Sequence, residues 1–201
     1  MGQSKFPAPK LNLRNQLTAI DVHAGVHHQA IVKSLVWKTE TDTQLFAAAL
    51  ATQPALCDCY VELHGELGAG KTTLVRHLLQ ALGVTGRIKS PTYAVVEPYE
   101  LPHTPSNPQP LRIWHFDFYR FNDPREWEDA GFRDIFASSG LKLAEWPDKA
   151  AAFVPRADLA IRINVQLDGV RLVQLIAHTP TGVALLAPVS SASAIEGRSC
   201  P

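Results

Sequence analysis

The stretch that decides the fold is Gly65-Glu66-Leu67-Gly68-Ala69-Gly70-Lys71-Thr72. It fits the pattern G-x-x-x-x-G-K-[ST] at every fixed position. Before it, Cys57 to His64 alternates between apolar and polar residues, which predicts a strand. After it, Leu74 to Leu82 carries an apolar stripe at helical spacing, and Gly83 then offers a helix C-cap. A strand, a glycine-rich loop and a helix in this order predict a P-loop that binds phosphate groups.

The residue types of this loop fit that chemistry. Glycines let the backbone bend tightly and bring its N–H groups close to phosphate oxygens, and the helix that follows adds its positive N-terminal end. Lys71 can reach the β- and γ-phosphates, and the Thr72 hydroxyl can bind Mg²⁺. The residues expected at the nucleotide phosphates are Gly65, Glu66, Leu67, Gly68, Ala69, Gly70, Lys71, Thr72 and Thr73.

Two carboxylates are candidates for the rest of the site. Asp117 closes the apolar run Leu111 to Phe116, where a buried acid needs a partner. That partner is either a metal ion or a cation such as Arg120 or Lys71. Glu145 ends another short apolar segment, and there it either supports a metal-bound or attacking water or is an ordinary turn residue.

Composition narrows the class of protein. The chain has 201 residues, with 19 Lys and Arg against 19 Asp and Glu, so its formal net charge is zero. Hydrophobic residues make up 46% and charged residues 19%, which excludes a chain that is disordered throughout. Three cysteines are too few for a disulfide scaffold. The balanced charge argues against a stand-alone nucleic-acid binder.

The order of the elements predicts the fold class. Strand and helix patterns alternate along the chain, and Asp168-Gly169 joins the last two strand candidates as a hairpin. We therefore expect an α/β fold with one P-loop NTPase-like domain, whose sheet is mainly parallel with antiparallel edge strands. Residues 1–30 are expected to form a flexible N-terminal extension, residues 31–180 the P-loop NTPase-like domain, and residues 181–201 a C-terminal tail.

Other features of the sequence predict one exposed loop and the cellular location of the protein. Residues 98–110 contain five prolines, which predicts an exposed loop. No apolar run approaches the roughly 18 residues of a membrane-spanning helix. The polar start, Met1 to Lys10, has no apolar core of a signal peptide. A cytoplasmic protein without membrane association is expected.

Four segments together resemble one known family. The P-loop, Ser90-Pro91-Thr92-Tyr93, the run from His115 to Arg120, and Glu145-Trp146-Pro147 occur in the order and approximate spacing of the bacterial TsaE (YjeE) proteins. These are small P-loop ATPases of the tRNA threonylcarbamoyladenosine modification pathway. Many NTPases share the P-loop, but the other three segments make the signature much narrower. Residues 1–30 and the proline-rich insertion at 101–110 depart from the family pattern.

The resemblance implies specific roles at the site. It implies ATP and Mg²⁺ as cofactors, and it places Thr72, Asp117 and Glu145 at the metal. Lys71, Asp117 and Glu145 are then the catalytic residues. It makes Thr92 a switch-like residue near the γ-phosphate and Trp146 a neighbour of the nucleotide. It also implies the TsaB and TsaD proteins as partners, with tRNA reached indirectly through their complex.

The expected function is therefore an ATPase that is weak alone and is stimulated in a complex, which its ATP turnover resets. A small P-loop metabolite kinase is the alternative, but a kinase usually carries an arginine-bearing lid, and Arg120, Arg125 and Arg133 are scattered. A nucleotide-bound scaffold, in which ATP only locks a binding surface, is a third interpretation.

For several other residues, a structural interpretation competes with a functional one. The pattern of Cys57-Asp58-Cys59 indicates buried free thiols, because no second cysteine pair completes a zinc site. His115 on an aromatic strand favours a hydrogen-bonded core histidine over a proton carrier. Arg76 and Arg87 favour a surface role or a partner contact over an arginine finger, and Lys89 is a candidate sensor of the γ-phosphate.

Overall fold

The computed structural model describes residues 30–102 and 110–187. Its strands are β1 (Ile31–Trp37), β2 (Tyr60–His64), β3 (Val96–Leu101), β4 (Leu111–Asp117), β5 (Leu141–Glu145), β6 (Leu159–Val165) and β7 (Arg171–Ala177). Its α-helices are α1 (Glu40–Ala51), α2 (Lys71–Leu82), α3 (Pro124–Asp129), α4 (Phe132–Ala137) and α5 (Pro180–Leu185). Two short 3₁₀ helices lie at Pro54–Asp58 and Pro147–Ala150.

The strands form one seven-stranded sheet in the order β1-β7-β6-β2-β5-β4-β3. The four central strands, β6, β2, β5 and β4, pair in parallel. At one edge β7 and β1 are antiparallel, and at the other edge β3 is antiparallel to β4. This arrangement confirms the predicted α/β fold with antiparallel edge strands.

The parallel centre of the sheet brings the predicted site residues together. The P-loop follows β2, and Asp117 and Glu145 are the last residues of β4 and β5. Asp117 pairs in register with Glu145, which pairs on its other side with Leu63 of β2. Since the carboxyl ends of parallel strands meet at one edge, all three elements open into the same crevice.

Two apolar clusters cover the faces of the sheet. Helices α1 and α2 pack on one face through residues such as Leu50, Leu74 and Leu78. An aromatic cluster covers the other face, where Phe116 stacks on Phe118 with ring centroids 5.4 Å apart. In β2, β4 and β5, side chains alternate across the strand and so contribute to both clusters. These three strands are thereby packed from both sides, which holds their carboxyl ends in place.

One strand and one loop begin later than the sequence predicts. The strand expected from Cys57 begins only at Tyr60, because Pro54–Asp58 forms a 3₁₀ helix. The loop expected over 98–110 begins later, because β3 extends to Leu101 and includes Pro98. An edge strand accepts proline, since its outer N–H groups need no strand partner. Residues 103–109 lie outside the described residues.

The predicted start of the C-terminal tail, residue 181, falls inside α5. Thr179 caps this helix by accepting a hydrogen bond from the Gly182 amide, and Leu185 and Leu186 are buried in the core. The packed domain therefore continues through Leu186. The predicted extension before residue 30 and the tail after residue 187 lie outside the described residues. Within the described ranges, no helix has the length and apolar character needed to cross a membrane.

Candidate functional site

The P-loop is shaped by glycines whose backbone conformations other residues rarely adopt. Gly65 has φ +145°, and a Cβ atom there would lie 2.5 Å from the carbonyl oxygen of Ile163. Gly70, with φ +105°, is the N-cap of α2. The loop therefore passes close to β6 and turns directly into the helix, so that the first amides of α2 face the crevice.

Lys71 is the first residue of α2, and its side chain reaches back to the loop. Its Nζ donates hydrogen bonds to the carbonyl oxygens of Gly65 (2.6 Å) and Glu66 (3.0 Å) and lies 4.0 Å from the ring centroid of Trp146. Burial lowers the pKa of this lysine, and the carboxylates of Glu145 and Asp117 act in the opposite direction. The ammonium group is thus held within reach of the loop and of both acids.

Glu145 is buried at the end of β5, with only 2% of its surface exposed. Its Oε2 accepts a hydrogen bond from the Thr72 hydroxyl over 2.9 Å, and its Oε1 lies 2.9 Å from His115 Nε2. Both oxygens are engaged by side chains from neighbouring elements, α2 and β4. A buried carboxylate with two side-chain partners differs from the ordinary turn residue that was the other interpretation of the sequence.

Asp117 is fixed by hydroxyl groups. Its Oδ2 accepts hydrogen bonds from Ser90 Oγ and from Thr92 Oγ1, the latter over 2.8 Å. Its Oδ1 accepts one from the backbone amide of Tyr119 over 3.1 Å. Among the described residues it forms no ion pair, so the alternative of a salt bridge to Arg120 or Lys71 is not what the structure contains.

Two residues with positive φ flank the carboxylates. Trp146, with φ +57°, turns the chain immediately after Glu145 and brings its indole ring beside Lys71. Val95, with φ +64°, donates from its amide to Pro91 O and accepts a hydrogen bond from the Asp117 amide over 2.9 Å. A β-branched residue rarely adopts this conformation, and such strain is concentrated at functional sites. The 90–95 segment is thus tied to Asp117 by backbone and side chains alike.

These elements enclose a cavity of about 380 Å³, a size typical of small-ligand sites. The predicted residues that line it are Leu67, Gly68, Gly70, Lys71, Thr72, Thr73, Thr92, Asp117, Glu145 and Trp146. Of the other predicted residues, Gly65 and Glu66 supply the carbonyl oxygens that accept hydrogen bonds from Lys71, and Ala69 is a buried residue of the loop.

The oxygen donors of this cavity suit a hard cation. Thr72, Asp117 and Glu145 offer one hydroxyl and two carboxylates, and Mg²⁺ is usually held by one or two carboxylates together with phosphate oxygens and water. No group of three His, Cys, Asp or Glu side chains in the described ranges has the arrangement of a self-sufficient metal site. The side chains present therefore fit a cation that binds together with a phosphate ligand.

Ser90 and Arg171 were not predicted as site residues, and the sequence favoured a core position for Tyr119 over stacking on adenine or a partner. Ser90 and Tyr119 line the cavity, and Arg171 on β7 donates from Nε to the carbonyl oxygen of Ala69 over 3.0 Å. Ser90 precedes the Pro-Thr-Tyr segment and Tyr119 lies two residues after Asp117, so their positions beside predicted residues were available signals. No local pattern marks Arg171, which is 102 positions from its partner.

The remaining basic candidates lie beside the site. Arg76, Arg87 and Lys89 line a second cavity of about 500 Å³, which Thr72 and Ser90 also line. None of the three forms an ion pair within the described part of the chain. Lys89 does not line the cavity that contains Lys71 but is adjacent to Ser90, which does, and its role as a γ-phosphate sensor stays a prediction.

Comparison with known proteins identifies the family. The family model "Threonylcarbamoyl adenosine biosynthesis protein TsaE" matches residues 37–173. A TsaE protein of Haemophilus influenzae is 41% identical over 131 residues, which are 65% of this chain and 78% of that protein. A TsaE protein of Bacillus subtilis is 33% identical over 134 residues, covering 66% and 79% respectively.

A solved structure agrees at the level of the fold. The crystal structure of YdiB from Bacillus subtilis superimposes with a TM-score of 0.62 at 23% identity, covering 83% of this chain and 99% of that one. The sequence match spans the P-loop, both carboxylates and the strands that position them. The chain therefore belongs to the TsaE family.

Proposed function

We propose that this protein binds ATP with Mg²⁺ at the P-loop and hydrolyses it as the ATPase of tRNA threonylcarbamoyladenosine biosynthesis, a cytoplasmic process. One observation carries the enzymatic part: Lys71, Asp117 and Glu145 converge on a single cavity at the carboxyl ends of β2, β4 and β5. The printed names of the relatives, each a tRNA threonylcarbamoyladenosine biosynthesis protein, support the pathway.

The site favours phosphoryl transfer by positioning and electrostatics. The loop amides and the N-terminal end of α2 bind phosphate oxygens, and Lys71 reaches toward the β- and γ-phosphates. Thr72 and Asp117 would hold Mg²⁺, and the bound ion would neutralise negative charge on the phosphates. Glu145 would hold a metal-bound water or orient the water that attacks.

The arrangement favours hydrolysis over a metabolite kinase. A kinase needs cationic side chains over the transferred phosphate, usually arginines on a lid. No arginine lines the described cavity. Arg120 instead stacks on Tyr93, with its guanidinium carbon 4.4 Å from the ring centroid, and Arg125 pairs with Asp123. Water is thus the acceptor that the site best accommodates.

The partners we propose are TsaB and TsaD, with tRNA reached through their complex. The cavity of Arg76, Arg87 and Lys89 is the surface we assign to an acidic patch of one partner. It adjoins Thr72 and Ser90, so a docked partner would lie beside the phosphate site. RNA affinity increases with the number of phosphates that a protein neutralises, and this cavity offers only three cationic side chains. It is also lined by no aromatic ring on which a base could stack. A protein partner therefore suits this cavity better than RNA does.

The test is ATP hydrolysis by the purified protein with and without purified TsaB, TsaD and tRNA. We expect slow release of inorganic phosphate by the protein alone and faster release in the complex. Lys71→Ala should abolish turnover, whereas the matched control Lys38→Ala, an exposed lysine before α1, should not change it. The proposal is wrong if ATP does not bind, or if Lys71→Ala hydrolyses ATP at the wild-type rate. Transfer of phosphate to a metabolite would establish the kinase instead.

A further inference from the structure

We infer that His115 is a positioning residue of this ATPase: its imidazole holds the Glu145 carboxylate in the orientation that turnover requires. This inference rests on the proposed function. His115 lies on β4, two residues before Asp117, so both side chains point to the face that α2 covers. It is fully buried, and its Nε2 lies 2.9 Å from Glu145 Oε1.

The direction of this hydrogen bond follows from the other partner of Glu145. The Thr72 hydroxyl donates to Oε2, so the carboxyl group acts as an acceptor at that oxygen. Since a carboxylate oxygen accepts hydrogen bonds, we assign Nε2 of His115 as the donor to Oε1.

The other ring nitrogen shows that packing alone does not explain a histidine at this position. Nδ1 of His115 is buried and has no hydrogen-bond partner among the described residues. Burying an unmatched polar atom costs free energy, which an apolar residue of similar size would avoid. The neighbouring inward residue of the same strand, Ile113, is such a residue and is equally buried. The compensating interaction of His115 is its hydrogen bond to Glu145.

The consequence for Glu145 is a fixed carboxylate plane. With Oε1 held by His115, Oε2 is directed to Thr72 at the start of α2, where the phosphate site begins. Without the imidazole, Oε1 would be buried with no donor and the carboxylate would be free to rotate. His115 does not line the nucleotide cavity and makes no hydrogen bond to the P-loop. Its loss should therefore affect the catalytic step more than nucleotide binding.

Two substitutions separate positioning from packing. His115→Met fills the space but has no donor, whereas the amide nitrogen of His115→Gln can donate from about the position of Nε2. We expect His115→Met to keep its ADP affinity and to remain folded while kcat falls by on the order of 10- to 100-fold, as for misplaced catalytic groups. His115→Gln should recover most of that loss. Leu143→Met, at the fully buried residue that pairs with His115 on β5, is the packing control and should leave kcat unchanged.

A double substitution shows whether His115 acts through Glu145. In a Glu145→Ala background, His115→Met should cause no further loss of kcat, because groups that act as a unit are not additive. The measurements are kcat and KM for ATP, ADP affinity and the melting temperature of each purified variant. Losses of kcat that multiply in the double variant overturn the inference. A His115→Gln variant that is folded but as inactive as His115→Met also overturns the inference. If His115→Met fails to fold, the test is the kcat of His115→Gln compared with wild type, and a folded but inactive His115→Gln overturns the inference.

The failure of the inference can be told apart from that of the proposed function. Wild-type protein that hydrolyses no ATP, alone or with its partners, refutes the proposed function. Wild-type turnover that His115→Met leaves unchanged refutes only the positioning role.

Discussion

The Thr92 hydroxyl donates a hydrogen bond to Asp117 Oδ2 over 2.8 Å, which joins a loop residue to the carboxylate at the end of β4. Ser90 reaches the same oxygen, and the two hydroxyls lie 2.7 Å apart. A change at Asp117, such as binding of a cation, therefore alters the hydrogen bonds of both hydroxyls and can shift the loop that contains them. This coupling is a physical basis for the proposed switch role of Thr92.

Removing the Thr92 hydroxyl should impair turnover. Thr92→Val keeps the shape of the side chain but leaves Asp117 with one donor fewer, and hydrogen bonds to charged groups contribute about 1.5–3 kcal/mol. We expect kcat to fall by about 10-fold or more and the Mg²⁺ concentration for half-maximal rate to change. Thr92→Ser, which retains the hydroxyl, is the control. Equal rates for wild type and Thr92→Val would show that this hydrogen bond has no role in turnover.

Trp146 should report on nucleotide binding through its fluorescence. Lys71 Nζ lies 4.0 Å from its ring centroid, and an ammonium drawn toward a phosphate would weaken this cation–π contact. Titration with Mg-ADP should therefore change the emission and saturate with binding. The change should vanish in Trp146→Phe and persist in Trp37→Phe, at a buried residue that packs against Phe46 of α1. A signal that survives Trp146→Phe would assign it to another tryptophan.

The parts of the site that could be predicted from sequence are those with local patterns. The P-loop is contiguous, and Asp117 and Glu145 each end an apolar strand, so the meeting of parallel strand ends places them together. The bond from Arg171 to Ala69 has no such pattern, because it joins positions 102 residues apart through the order of strands in the sheet. That order depends on packing of the whole domain, which no short stretch of sequence contains.

The error at Pro98 has a similar cause. Proline predicts a loop when the segment is considered alone, but β3 is an edge strand that pairs on one side only. Whether a strand lies at the edge depends on the complete sheet. The contact between His115 and Glu145 likewise depends on the pairing of β4 with β5. The sequence identified the histidine as a candidate but could not predict this partner.

Gly65→Ala should destabilise both the fold and the nucleotide site. Its Cβ would lie 2.5 Å from Ile163 O, a backbone atom that cannot move aside easily. Forced overpacking costs about 1–3 kcal/mol, in addition to the strain of a positive φ. The control is Gly169→Ala in the β6–β7 turn, which has φ +82° and open space around the new Cβ. Urea unfolding should show the larger loss for Gly65→Ala. Equal losses would mean that strain alone, and not the close approach to β6, determines the effect.

The thiols should differ in reactivity. Burial raises the pKa of the Cys59 thiol well above its ordinary value, and the nearby Asp158 carboxylate acts in the same direction. A raised pKa means less thiolate at pH 8, and thiolate is the reactive form. We expect iodoacetamide to label half-buried Cys57 at least about 10-fold faster than Cys59 in the native protein. Peptide mapping by mass spectrometry separates both sites from Cys200. In urea the difference should disappear, whereas equal labelling of the native protein would contradict the burial of Cys59.

Charge reversal in the basic cavity should weaken binding of the partner proteins. Arg87 is exposed at the rim of the cavity next to Thr72 and Ser90, and Arg87→Glu would place a negative charge against the acidic patch we propose. Removing an interfacial charge pair typically lowers the association rate and the salt dependence of binding. We expect affinity for a TsaB–TsaD complex to fall by about 10-fold at low salt and by less at high salt.

Arg133→Glu, the same charge change at an exposed residue of α4, is the control for net charge. Binding can be followed by interferometry with the intact protein, in parallel with binding to tRNA alone. If Arg87→Glu leaves partner binding unchanged but abolishes binding to tRNA, the cavity is an RNA site and our assignment is wrong. If Arg87→Glu and Arg133→Glu weaken partner binding equally, the effect comes from net charge and the cavity has no special role. A selective loss with Arg87→Glu would place the partner beside Thr72, where docking and the phosphate site share residues.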